Sequence, residues 1–142
     1  MRSFVPLVLL VVFPWVSGCS GSQTTDTQTE APAECNVLGV WQGVIPGGIL
    51  MGQPVTLTFY ENGMARGTSG NIILDVGWQR QGNELSIVHQ AAVPPAAGCR
   101  VDQVGRYTIS FEGDCSSVVS RSLEDTCEHR RRTLDGLRVI RQ

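Results

Sequence analysis

The sequence predicts an all-β fold, an eight-stranded antiparallel up-and-down barrel with one short helix before the last strand. Three observations predict it. Apolar and polar residues alternate with period two through most of residues 35–142, as they do along half-buried strands. Several of the alternating runs are separated by tight turns carrying glycine, at Asn62-Gly63, Gly82-Asn83 and Gly113-Asp114. Eight such runs follow one another, and closing them on themselves removes the exposed edges that an open sheet of that length would leave.

The chain does not begin with a strand. Arg2 and the amino terminus are positive, and Phe4 to Val16 form an apolar core interrupted by Pro6 and Pro14. That core is shorter than the roughly 20 apolar residues that span a bilayer, so residues 1–18 read as an export signal. The stretch Val16-Ser17-Gly18-Cys19 resembles the lipobox of bacterial lipoproteins. The resemblance implies cleavage before Cys19, diacylglycerol on its thiol and a membrane held by acyl chains. Ser20 stands where inner-membrane lipoproteins of Gram-negative bacteria commonly carry Asp, so the resemblance implies the outer membrane. Residues 19–34 are then the lipidated Cys19 and a tether of Ser, Thr, Gln, Pro and acid. Such a composition buries too little apolar surface to order itself.

The 108 residues from Cys35 to Gln142 make one domain. The whole chain has net charge −2, and all 11 basic residues are Arg. This balance excludes a general nucleic-acid binder, which would be basic. The run Arg130-Arg131-Arg132 is balanced by Glu124, Asp125, Glu128 and Asp135 and reads as a solvated, salt-bridged helix face. Five cysteines are present. Assigning Cys19 to lipid leaves Cys35, Cys99, Cys115 and Cys127, which suits two disulfides in an oxidising envelope. No pair has the spacing of a metal site, and neither metal nor cofactor is expected.

The elements follow in order. The first strand is 38–45. In 54–60, Val55, Leu57 and Phe59 share a face, and 64–68 follows after Asn62-Gly63. In 71–80, Ile72, Leu74, Val76 and Trp78 share a face; in 84–90, Leu85, Ile87 and His89 do. In 105–112 the inward set is Tyr107, Ile109 and Phe111, and 116–122 follows. Asp125 as N-cap with Glu128 three residues on predicts a capping box and a helix over 125–134. Glu128 and Arg132 stand at i, i+4 in the favourable order. The last strand is 136–141.

Strand parity separates the two ends of such a barrel. Connections 1–2, 3–4, 5–6 and 7–8 fall at one end and include all the long ones; the others are tight glycine turns. Two long connections are apolar, with Ile49, Leu50 and Met51 in one and Val93 in the other. Exposed apolar loops mark contact surfaces, so these residues, with the inward Trp78, Tyr107 and Phe111, are candidates for a ligand cavity or its rim. Spacing alone leaves three disulfide pairings open. Parity puts Cys99 and Cys127 at the long-loop end and Cys35 and Cys115 at the other. Bridged Cα atoms lie within about 7 Å, and the barrel is taller than that, which leaves Cys35–Cys115 and Cys99–Cys127. If residues 64–80 were one bent strand through Gly70, the parity of everything after it would flip.

Gly39-Val40-Trp41, then Leu57-Thr58-Phe59 with Asn62-Gly63, then Asp125-x-Cys127-x-x-Arg130 with Leu134-x-Gly136 resemble the lipocalin-like proteins of bacteria. The resemblance implies that Trp41 packs across the closed end of the barrel under an arginine, with Arg130 or Arg138 as cation–π partner. It also implies an apolar small molecule or lipid as ligand, bound by a monomer. A filled barrel that binds an envelope protein through its rim loops, as an interaction or inhibitor module, is the alternative. No catalytic residues are expected: His89 and His129 lie in no nucleophile motif, Asp75 and Asp102 are isolated, and His89 reads as a satisfied core histidine.

Overall fold

Period-two alternation becomes eight strands in the computed structural model, which describes residues 34–142. The export signal, Cys19 and all but the last residue of the tether lie outside the described residues. The strands are β1 (Gly39–Val44), β2 (Pro54–Phe59), β3 (Met64–Ser69), β4 (Ile72–Gln81), β5 (Glu84–Val93), β6 (Val104–Glu112), β7 (Ser117–Asp125) and β8 (Arg138–Arg141). One helix, α1 (Glu128–Leu134), precedes β8, and a single 3-10 turn (Pro95–Ala97) lies between β5 and β6. Each strand pairs antiparallel with its sequence neighbours. β1 also pairs with β8, with Trp41 opposite Arg141, and the barrel is closed.

Two glycines make this topology possible. Gly70 has φ +56° and turns the chain between β3 and β4, so residues 64–80 form two strands and the parity of the later ones stands. Gly43 lies opposite Val139 where β1 pairs with β8. A Cβ there would collide with the Arg138 carbonyl oxygen.

One half of the barrel is filled. Val37, Trp41, Leu85, Tyr107, Ile109, Val118, Leu137 and Val139 are buried together around a residual void of only about 50 Å³. At this end Trp41 is 1% exposed, and its Nε1 donates to the Val37 carbonyl at 2.7 Å. The guanidinium over its ring belongs to Arg141, 4.4 Å from the centroid. Arg141 also donates to the carbonyls of Asn36 and Leu38, at 2.7 and 3.1 Å. The expectation of Arg138 or Arg130 in this place is therefore corrected. Val139 points inward, so Arg141 does too, two residues on, whereas Arg138 faces outward and pairs with Glu112. Arg130 is held in α1 by Asp125. Arg80 covers the same end, 5.0 Å from the Phe111 centroid, and donates to the Cys35 carbonyl.

Disulfides join Cys35 to Cys115 and Cys99 to Cys127, with Cα separations of 5.4 and 5.7 Å, the pairing that parity predicts. The first fastens the approach to β1 to the β6–β7 turn. The second fastens the β5–β6 connection to the start of α1.

The segment around α1 differs from expectation. Asp125 is the last residue of β7, not a helix cap; the N-cap is Cys127, with no side-chain cap bond. Asp125 turns inward, where its Oδ1 accepts from the Cys127 amide at 2.8 Å. Arg130 donates to it twice, Nε to Oδ2 at 2.6 Å and the second terminal nitrogen to Oδ1 at 2.9 Å, and the Tyr107 hydroxyl donates as well. Arg130 is thus buried rather than part of a solvated face, while Arg131 and Arg132 are exposed. Glu128 does pair with Arg132.

Candidate functional site

The other half of the barrel is hollow. A cavity of about 360 Å³ lies there, within the usual range of small-molecule sites, ~300–1,000 Å³. Alternation builds its walls: Val55, Leu57 and Phe59 from β2, Ala65 and Gly67 from β3, and Ile72, Leu74 and Val76 from β4 all face it. The residues across from one another in register are often small, Gly67 beside both Leu57 and Leu74, and Ala65 beside both Phe59 and Val76. Small residues on β3 leave the space that larger ones would fill.

The rest of the wall comes from the long connections that parity gathers at one end. Ile49 and Leu50 line the cavity from the first, Pro94 and Ala96 to Cys99 from the third, and Arg130, Thr133 and Leu134 from α1. Met51 and Val93 do not line it, but with Ile49 they are exposed (67%, 57% and 85%). Trp78, Tyr107 and Phe111 also lie outside its walls. Trp78 is six residues beyond Ile72 on β4, about 20 Å at ~3.3 Å per residue, and packs edge-on against Phe59, centroids 5.5 Å apart. Its Nε1 donates to the Met64 carbonyl at 2.9 Å. Tyr107 and Phe111 belong to the filled half, Phe111 6.4 Å from Trp41. Parity places side chains on a face but does not set their height along the barrel, and these three inward residues do not reach the cavity.

The wall is mostly apolar, and its polar side chains have different standings. Arg130 is bound by Asp125 and also donates to the Gln103 carbonyl at 2.9 Å. Thr133 donates to the His129 carbonyl and Ser69 to the Pro54 carbonyl, both at 2.8 Å. Arg66 is paired with Asp75. His89 is 4% exposed and lines the cavity from β5, yet its imidazole makes no hydrogen bond among the described residues. The expectation of a satisfied core histidine is corrected on this point. Its inward direction was legible in the alternation with Leu85 and Ile87. What it faces was not, because the loop above it comes from elsewhere in the chain. That loop comes close to the ring: a Cβ at Gly98 would sit 2.5 Å from Cε1 and Nε2 of His89.

The charges of the site are balanced before any ligand enters. Burial disfavours the charged form of His89 and the Arg130 charge adds to this, so its pKa is lowered and the ring is neutral at physiological pH. Burial acts on Asp125 in the opposite sense, but its hydrogen bonds from Arg130, Tyr107 and the Cys127 amide prevail, and its pKa is lowered. Burial and the neighbouring carboxylate push the Tyr107 phenol up. Asp125 and Arg130 are therefore a buried ion pair next to a neutral imidazole. Among the described residues no group of metal-binding side chains is present. In comparisons with known proteins, no family model, curated protein or solved structure matches this chain.

Proposed function

We propose that this protein is an envelope lipoprotein whose barrel binds an apolar small molecule or lipid. The observation that carries the proposal is the hollow half of the barrel, lined by aliphatic and aromatic side chains and bordered by exposed apolar loops. A cavity of that kind favours apolar ligands, since each buried methylene contributes about 0.8 kcal/mol. The lipocalin-like resemblance supports the same reading, and the lipobox-like stretch ending in Cys19 supports a lipid anchor, in the outer membrane by virtue of Ser20. The barrel acts on this reading as a binder, with no catalytic role for its residues.

A chain of about ten carbons fits, taking a methylene as comparable to a water at ~30 Å³. An environment-sensitive apolar dye should bind the protein with at least micromolar affinity and be displaced by medium-chain lipids. Leu74→Trp puts an indole into the cavity from β4 and should weaken dye binding about tenfold or more while far-UV circular dichroism remains that of a barrel. Unchanged dye binding in that variant would place the dye elsewhere and count against the cavity as the site. The anchor has its own test. Cys19→Ala should abolish lipid attachment and detergent partitioning in the bacterial host, and a variant still membrane-bound after normal cleavage would refute it.

A further inference from the structure

Resting on that reading, we infer that the ligand is an amphiphile carrying one neutral hydrogen-bonding group, a hydroxyl or carbonyl, that pairs with the imidazole of His89. Two observations carry this. The first is the cavity itself, whose walls are mostly apolar, with polar side chains from β3 (Arg66, Thr68, Ser69), from α1 (His129, Arg130, Thr133) and His89 of β5. The second is His89, buried, facing the cavity and without a hydrogen-bond partner among the described residues. No side-chain nitrogen or oxygen enclosed by protein lacks a partner among the described residues, so the ring nitrogens open into the cavity. A ligand that fills the cavity must replace the water there with a hydrogen bond of its own or leave the ring unpaired, which is costly. Arg130, Thr133 and Ser69 already have protein partners. Thr68 and His129 also line the cavity but are half-buried and exposed, so His89 is the buried polar side chain of this wall that is left to a ligand.

The charge of the head group follows from the surroundings. The elements packed around His89 present Val76 across the β4–β5 pairing, Gly98 close beside the ring, and Arg130 from α1. The Arg130 charge is the one that acts on the ring, and Asp125 holds it with two hydrogen bonds. Among the described residues the guanidinium groups that line the cavity, Arg66 and Arg130, are already paired with carboxylates, so a carboxylate or phosphate on the ligand would be a buried anion with no free guanidinium to meet it, which is strongly unfavourable. A hydroxyl or carbonyl carries no such penalty. Either tautomer of the neutral imidazole has one donor and one acceptor nitrogen, so it can serve either group.

The test uses the full chain with three probes of equal chain length, n-decane, n-decanol and decanoate, measured by displacement of the apolar dye at neutral pH. In the wild-type protein n-decanol should bind more tightly than decanoate. In His89→Phe, which keeps the ring's bulk and removes its nitrogens, the ratio of n-decanol to n-decane affinity should fall about five- to tenfold, and His89→Gln should restore part of it. Isotope-labelled imidazole nitrogens give a readout that needs no variant: the His89 resonances should move with n-decanol and much less with n-decane. If both probes bind but the ratio is unchanged and the resonances stay still, the His89 assignment is overturned and the apolar-binding function stands. Tighter binding of decanoate than of n-decanol overturns the neutral head group. If none of the probes binds, the proposed function fails first and the inference with it.

Discussion

Arg130→Met should destabilise the barrel by about 3–5 kcal/mol at neutral pH, the range for removing one partner of a buried ion pair. The reason lies in what remains. Asp125 has a fully buried carboxylate, and without Arg130 it keeps, among the described residues, the Tyr107 hydroxyl and the Cys127 amide. The loss must depend on pH in a defined direction. In the wild-type protein the folded-state pKa of Asp125 is lowered, so its contribution is present above the ordinary carboxylate range and is lost as pH falls through the lowered value. In the variant the same carboxyl is buried without its cation and its pKa moves up. The cost of the substitution is then largest at neutral pH and shrinks as pH falls and the carboxyl takes a proton. Denaturant titration at several pH values checks both size and direction. The double variant Asp125→Leu/Arg130→Met should recover much of the loss, because two apolar groups leave no charge unpaired. A pH-independent loss, or a double variant no better than the single, would show that Arg130 acts through packing and not through Asp125.

Removing the Cys35–Cys115 disulfide should cost about 4 kcal/mol. The bridge closes a loop with a sequence separation of 80, and the chain-entropy relation assigns about 4.5 kcal/mol to such a loop. At roughly 4–8 °C per kcal/mol for a domain near this size, Cys35→Ala/Cys115→Ala should melt about 15–30 °C lower. Native contacts act in the same direction. The bridge holds the segment whose carbonyls accept from Arg80 and Arg141, and so the two cations that cover the filled end. The Cys99–Cys127 bridge spans 28 residues and should contribute about 1 kcal/mol less by the same relation. Calorimetry on the two double variants orders them, and a larger loss for the shorter loop would refute the entropic account.

Arg130 also shows where sequence reading stopped. Within a run of three arginines among four acids, any residue reads as solvated, because helical spacing alone does not say which one meets Asp125. The pairing needs β7 to run three residues further than its alternation suggested, to Asp125, and it needs Gly105 opposite. A Cβ at Gly105 would collide with the Asp125 carboxylate. Arg141 is the contrasting case. It lies in period two with Leu137 and Val139, so its inward direction could have been read from the last strand, and the lipocalin-like pattern drew attention to Arg138 instead.

Sequence by itself determined the features that depend on local periodicity. Period two and the glycine turns set the number of strands, their antiparallel order and which end each connection occupies. Those ends in turn decided the disulfide pairing, because covalent bridges cannot span the height of a barrel. Tertiary structure alone decided that the barrel is filled at one end and hollow at the other, that Asp125 and Arg130 form a buried pair, and that His89 faces the hollow without a partner among the described residues. Each of these is set by a sum over residues far apart in the chain: the volumes of eight inward faces against the space they enclose, and the partners that closure brings within reach of a buried charge or ring. Alternation assigns a side chain to the inside, but only closure sets what it meets there.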